Sequence, residues 1–369
     1  MNVAGQPRDV RAVYRGRMRA AVIHGPRDVR VEDRPDPKIL TPGDAVVRVV
    51  AACVCGSDLW PYRGVSAVKK PRPIGHELVG VVEALGADVT STRVGDFVIL
   101  PFTMSCGECQ ACRAGYPAAC DLVTGFGSTD RWGNPVDGAQ GERVRIPLAQ
   151  HSLFPVGRSE AELEAAGLVP HLLSLADVMS TGYHAAFSAG VSAGDTVVVV
   201  GDGAVGLSGV LGARLLGADR VIAMSRHDDR AALAREFGAT DVVAERGEEG
   251  LAAVRDLLDG DLADAALECV GTEQSMDTAL SVVRGGGRVG FVGVPHGPDL
   301  SVRRLFDRNI TIGGGMASAR RYMETLLPDV LSGAIVPGKV FDLELPLADV
   351  AEAYAAMDER RATKVLVRP

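Results

Sequence analysis

The chain reads as a two-domain α/β protein, a mostly β unit followed by a doubly wound parallel sheet, and three features predict this. Short apolar runs broken by Gly and Pro fill residues 18–155. From about Ser174 onward, apolar strands alternate with Ala- and Leu-rich helical stretches, the pattern of βαβ units. Between the first of those strands and the first of those helices stands a glycine-rich turn, GDGAVG.

Bulk properties bound the possibilities. At 369 residues the chain is long enough to bury two cores without disulfide support. Hydrophobic residues make up 47% and charged residues 23%, ordinary globular composition rather than that of a disordered or membrane-embedded chain. A formal net charge of −8 leaves no dominant basic face, which argues against a nucleic-acid partner. The opening MNVAGQPRDVRAVYRGR has no apolar run of the length a signal peptide or membrane span requires, so a cytoplasmic location with no membrane partner is expected.

The elements follow in order. Residues 1–17 read as an extension, because the alternating stretch MRAAVIHGPRDVRVEDRP begins at Met18. The runs AVVRVVAACV, LVGVVEALG and VGDFVILPF then have the β-branched content of strands. In the second unit, strands are expected over 196–200 (TVVVV), 220–225 (RVIAMS), 264–270 (DAALECV) and 288–294 (RVGFVGV). The segment AVGLSGVLGARLLG between the first two places apolar residues at helical spacing, so a helix is expected despite Gly206, Gly209 and Gly212. After Gly315 the texture turns mixed, with a helix over about 348–358 and a last strand in TKVLVRP.

Cys106, Cys109, Cys112 and Cys120 fall in the stretch CGECQACRAGYPAAC. Their spacing suits four thiolates converging on one tetrahedral Zn²⁺, and Gly107, Gly115 and Pro117 supply turn geometry. Four protein ligands leave no position for substrate, so such a metal shapes a loop. The alternatives are two disulfides or four separate buried thiols; a disulfide framework belongs with small secreted chains. Cys53, Cys55 and Cys269 lie outside the cluster.

In GDGAVG, Gly201, Gly203 and Gly206 have G-x-G-x-x-G spacing. The glycines give a tight turn, close approach to a pyrophosphate and tight helix packing, while Ala204 and Val205 begin the helix whose free N–H groups meet the anion. This is the dinucleotide turn of a Rossmann sheet. An NAD enzyme usually ends the second strand in Asp or Glu to hold the ribose 2′-OH, whereas here the chain runs Ser225, Arg226, His227. A hydroxyl and a guanidinium suit a 2′-phosphate, with Arg230 one turn further on, so NADP(H) is favoured over NAD(H). The counter-reading has Asp228 or Asp229 curling back to accept the ribose hydroxyl.

Upstream, CVCGSDLW and PIGHELVGVVEALG carry Cys55 and His76 on turns, with Glu77 adjoining. Cys55-Gly56-Ser57-Asp58, Gly75-His76-Glu77, the cysteine lobe and the dinucleotide turn stand in the order found in zinc-dependent medium-chain alcohol dehydrogenases, which the chain resembles over Met18 to Pro369. The resemblance implies a GroES-like catalytic domain over residues 18–176 and 315–369, split around a Rossmann domain at 177–314. It further implies two Zn²⁺ per chain, one structural in the lobe and one catalytic. For the catalytic ion it implies Cys55, His76 and Asp177 as ligands, Glu77 as an exchangeable neighbour, and Asp58 accepting the other ring N–H of His76. Asp177 also reads as a helix N-cap before VMSTGYHAAF.

The implied reaction is reversible oxidation of an alcohol to an aldehyde or ketone, with zinc as Lewis acid, hydride passing to the nicotinamide and Ser57 accepting the alcohol proton. Many relatives continue the proton path with a histidine where this chain has Trp60, which reads instead as a wall of the substrate pocket with Tyr62 nearby. His24, His151, His171, His184 and His296 have no motif around them and read as structural or surface residues. An aldehyde or formaldehyde dehydrogenase of the same family is an alternative. A zinc-free quinone reductase would lack both ligand sets, and a non-enzymatic zinc module would lack the dinucleotide turn. By resemblance the partner is a second copy, as homodimer or homotetramer, assembled at the Rossmann sheet edge around RVGFVGVP.

Overall fold

The computed structural model describes residues 16–297 and 300–369. Its first strand, Arg17–Gly25, pairs antiparallel with Asp28–Pro35 and meets Arg72–Pro73. Residues 1–15 of the expected extension lie outside the described residues.

Ala45–Cys53 organises the next sheet, because every residue in it except Arg48 is buried and each edge can be paired. Leu78–Leu85, Arg143–Ile146 and Val365–Arg368 all run antiparallel to it, and Phe97–Leu100 and Leu343–Pro346 extend the sheet on either side. The last strand of the chain thus lies against the strand that leads to Cys55. That pairing carries residues more than 300 positions apart into one site.

The parallel sheet runs, in spatial order, Asp241–Val243, Arg220–Met224, Thr196–Val200, Ala263–Glu268, Val283–Phe291 and Thr311–Gly314. Numbered along the chain this is 3-2-1-4-5-6, the doubly wound dinucleotide order, whose direction reverses between Thr196–Val200 and Ala263–Glu268. The expected strands are there with small shifts; that at 288–294 instead spans Val283–Phe291, and two short strands join them. One expectation is corrected: RVGFVGVP lies inside the sheet, because Thr311–Gly314 pairs outside it and forms the edge.

The glycines of helix Ala204–Leu215 have a packing reason. Helix Val178–Ser188 crosses it so closely that a methyl group on Gly182 would lie 2.4 Å from the Gly209 nitrogen, and one on Gly212 would lie 2.8 Å from the Tyr183 Cα. Each Gly costs about 0.5–1 kcal/mol of helix propensity, offset here by backbone contact between the helices. The crossing fixes Asp177, at the head of one helix, relative to the glycine turn at the head of the other. Among the described residues no helix is long and apolar enough to cross a membrane.

Candidate metal centres and dinucleotide site

Donor atoms of Cys55, His76, Glu77 and Asp177 all lie within 4.8 Å of one another. Cys55 follows the buried central strand and opens the turn Gly56–Asp58. His76 and Glu77 precede the strand Leu78–Leu85, paired beside it. Asp177 comes from the helix crossing described above. Its Oδ2 is 3.6 Å from the Cys55 Sγ and 3.5 Å from the His76 Nε2. Although Asp177 occupies the N-cap position, its side chain caps no backbone N–H. Its Oδ1 instead accepts a 2.7 Å hydrogen bond from the Thr181 hydroxyl, which turns Oδ2 toward the cluster.

The surrounding groups orient the donors. Asp58 Oδ1 is 3.3 Å from the His76 Nδ1, and Oδ2 accepts the Cys55 backbone N–H at 3.0 Å, so one carboxylate fixes both residues. With Nδ1 facing Asp58, Nε2 is the nitrogen that faces the cluster. Burial lowers the His76 pKa, but Asp58 and Cys55 outweigh it and hold the ring well above its ordinary value. Burial pushes the Asp177 carboxyl up, yet its hydrogen bond with His76 and the His76 charge bring it below the usual range. For the Cys55 thiol, burial and the Asp177 charge act together and raise it.

Glu77 is wholly buried and held from behind by a residue the sequence reading passed over. Lys364, also buried, donates to the Glu77 Oε1 at 2.7 Å and to the Val54 carbonyl at 3.2 Å. The Glu77 Oε2 has no hydrogen-bond partner among the described residues. A buried carboxylate oxygen left over beside a thiol, an imidazole and a second carboxylate is what a divalent cation would satisfy, and S, N and O donors of this kind suit Zn²⁺.

The lobe offers a different donor set. Sulfurs of Cys106, Cys109, Cys112 and Cys120 lie within 4.8 Å of one another, and all cysteines described are free, so the disulfide alternative is set aside. The Cys106 and Cys120 sulfurs are 3.5 Å apart, close to the roughly 3.7 Å between ligands on a tetrahedral zinc with 2.3 Å bonds. N–H groups of Glu108 and Cys109 point at the Cys106 sulfur, and those of Cys106 and Leu122 at the Cys120 sulfur, as thiolates require. Backbone hydrogen bonds from Cys112 and Asp121 bring the Cys109 thiol down to about 6, whereas burial first pushes Cys112 up to about 12 and raises Cys120. A metal would supply the charge that deprotonates all four.

At the dinucleotide turn Gly201 has φ +116, and a methyl group on Gly206 would sit 1.9 Å from the Gly201 carbonyl oxygen. Gly203 caps the helix that begins Ala204, Val205, Gly206, and a methyl group on it would meet nothing within 4 Å, leaving space for a phosphate. Ser225 is buried at the end of Arg220–Met224, with Arg226 exposed beside it. Asp202 also reaches this point: it accepts from the Ser225 hydroxyl at 3.1 Å and lies 3.5 Å from Arg230 and 3.9 Å from Arg246. Neither Asp202 nor Arg246 was singled out in the sequence; the unglycine-like charge inside G-x-G was the available signal for the former.

Ser57 lies in the turn between Cys55 and Asp58 and is half-buried. The Trp60 ring lies against His296 from the loop after Val283–Phe291, with centroids 3.7 Å apart, and the His296 Nε2 is buried without a partner among the described residues. Tyr62 is not beside Trp60 in a pocket; it packs on Tyr354 in the core formed with the C-terminal helix Val350–Asp358, because its turn of helix faces that way. His184 is buried and bonded to the Tyr322 hydroxyl at 2.6 Å.

Residues 41–157 match the family model described as an alcohol dehydrogenase GroES-like domain, and 204–332 that described as a zinc-binding dehydrogenase. A zinc-type alcohol dehydrogenase B of Aspergillus flavus is 33% identical over 98% of this chain and 85% of its own length. A probable zinc-binding alcohol dehydrogenase of Mycobacterium tuberculosis is 35% identical over 93% of this chain and 86% of its own. The solved alcohol dehydrogenase from Thermus sp. ATN1 has a TM-score of 0.85 at 32% identity, covering 95% of this chain and 99% of that one. Taken with the donor clusters and the doubly wound sheet, these likenesses span the chain, which belongs to the zinc-dependent alcohol dehydrogenases of the medium-chain dehydrogenase/reductase superfamily.

Proposed function

We propose that this chain transfers hydride reversibly between an alcohol carbon and NADP⁺, giving an aldehyde or ketone, NADPH and a proton. The observation that carries the reading is the convergence of the Cys55, His76, Glu77 and Asp177 donors within 4.8 Å, with Asp58 behind the imidazole. Cys55, His76 and Asp177 would hold one Zn²⁺ with Glu77 as exchangeable neighbour, and the four lobe cysteines a second, structural Zn²⁺. When bound, the first supplies Lewis acidity toward the substrate oxygen.

The chain's own residues do the rest. Asp58 keeps the imidazole in the tautomer that presents Nε2, and Thr181 keeps Asp177 Oδ2 turned inward. Ser57 takes the alcohol proton. Trp60 and His296 wall the substrate pocket from the two sides of the cleft. Gly201, Gly203, Ala204, Val205 and Gly206 seat the pyrophosphate, and Ser225, Arg226 and Arg230 surround the adenosine ribose 2′-phosphate.

In this reading residues 18–176 and 315–369 form the catalytic domain and 177–314 the cofactor domain. The sheet edge at Thr311–Gly314 joins two copies as a homodimer or within a homotetramer. The test is turnover of primary alcohols, secondary alcohols and aldehydes with each cofactor. Activity on alcohols with an Arg226→Ala variant whose KM rises far more for NADPH than for NADH is expected. Inactivity of metal-replete protein on every alcohol would overturn the reaction, and equal KM effects would overturn the cofactor.

A further inference from the structure

At the adenosine end of the cofactor groove a single acidic side chain sits among basic ones from separate elements. Asp202, the second residue of the glycine turn, is only 12% exposed at its side chain. Its Oδ2 accepts from the Ser225 hydroxyl at 3.1 Å and lies 3.9 Å from Arg246 Nη2, while its Oδ1 is 3.5 Å from Arg230 Nη1. Arg230 comes from the first turns of helix Asp228–Glu236, and Arg246 stands at the N-cap position of helix Gly247–Leu257. Arg226 is exposed next to Ser225, and Asp228 and Asp229 are exposed in the following turn.

The donors gathered on Asp202, one hydroxyl and two guanidinium groups, are those a phosphate monoester needs. A carboxylate in their midst has two consequences of opposite sign. It competes with an incoming 2′-phosphate for the arginines and repels its charge. It also offers a ribose bearing only a 2′-OH the acceptor that other dinucleotide folds place at the end of the second strand, where this chain has Ser225.

We infer that Asp202 and Arg246 are opposed specificity-determining residues for the dinucleotide: Arg246 is a further ligand of the 2′-phosphate, and Asp202 weakens that binding while accepting the 2′-OH of NAD(H). The inference rests on the reading that Ser225 and Arg226 face the adenosine ribose. The chain therefore uses both cofactors, and its preference for NADP(H) is smaller than its arginines alone would give.

The experiment measures dissociation constants of NADPH, NADH and 2′,5′-ADP by fluorescence or calorimetric titration of the zinc-loaded full chain. Wild type is compared with Asp202→Asn, Arg246→Met, the double variant and Arg226→Ala, each checked for unchanged thermal unfolding. Asp202→Asn is expected to tighten NADPH and 2′,5′-ADP about tenfold and to weaken NADH. Arg246→Met is expected to weaken NADPH and 2′,5′-ADP about tenfold, with a far smaller effect on NADH, and to shrink the gain from Asp202→Asn in the double variant. Weaker NADPH binding by Asp202→Asn, or equal effects of Arg246→Met on both cofactors, would overturn it. If Arg226→Ala shifts the NADPH to NADH ratio and the other two do not, only this inference fails; if none of the three shifts it, the underlying ribose assignment fails as well.

Discussion

Replacing Lys364 by Met tests how Glu77 is held at the edge of the metal cluster. Lys364 is 1% exposed and Glu77 0% exposed, they meet at 2.7 Å, and Glu77 Oε2 already lacks a partner among the described residues. Removing one member of such a buried pair strands the other and costs about 3–5 kcal/mol. Met preserves much of the side-chain volume, so little of that loss is cavity. At a urea m-value of about 3 kcal/mol/M the midpoint falls by about 1–1.7 M. The double variant Lys364→Met/Glu77→Gln removes both charges and regains most of the loss, because replacing a buried pair is often neutral. Urea unfolding of wild type, Lys364→Met, Glu77→Gln and the double variant in excess chelator keeps metal linkage out of the cycle and isolates the coupling between the two residues. A Lys364→Met protein within about 0.5 kcal/mol of wild type, or a double variant as unstable as Lys364→Met, would refute the reasoning.

Two further perturbations separate the structural features. Cys112→Ser removes one of four lobe ligands, so its unfolding temperature should fall and become less sensitive to chelator than that of wild type; an unchanged melt would remove the structural metal. Burial brings His184 from its ordinary 6.5 down to about 4, with its Nδ1 2.6 Å from the Tyr322 hydroxyl. Its native form is neutral, so the unfolded chain binds the extra proton, and the stability present above pH 6.5 is lost as pH falls toward 4. Between pH 7 and pH 5 the linkage amounts to about 2 kcal/mol. A His184→Asn variant should show a correspondingly shallower fall in stability over that window, and a slope equal to wild type would contradict the assignment.

The legible parts of this chain were those in which chemistry is concentrated in short segments. Four cysteines in one loop and three glycines after TVVVV announce their geometry because the ligand or backbone contact is local. Cys55 and His76 stand far apart in sequence, and only the order of motifs linked them to Asp177. Lys364 was illegible because its partners lie 287 and 310 positions away, and the strand pairing of Val365–Arg368 with Ala45–Cys53 is not written in either segment. The available signal was a lysine leading into a last strand, VLVR, whose first three residues are buried, where an ammonium needs a carboxylate. Arg246 was similarly hidden, since it reaches Asp202 only through the parallel pairing of Asp241–Val243 with Arg220–Met224. Tyr62 was misplaced because two residues of helix turn its side chain by about 200° from that of Trp60, to the opposite face.

Zinc content per chain, measured by elemental analysis on protein whose turnover is assayed in the same sample, tests the account most directly. Two zinc ions are predicted in wild type, one in an inactive His76→Ala protein that still unfolds cooperatively, and one in a Cys112→Ser protein. Wild-type protein with full turnover and a single zinc, lost on Cys112→Ser and retained on His76→Ala without loss of activity, would contradict it.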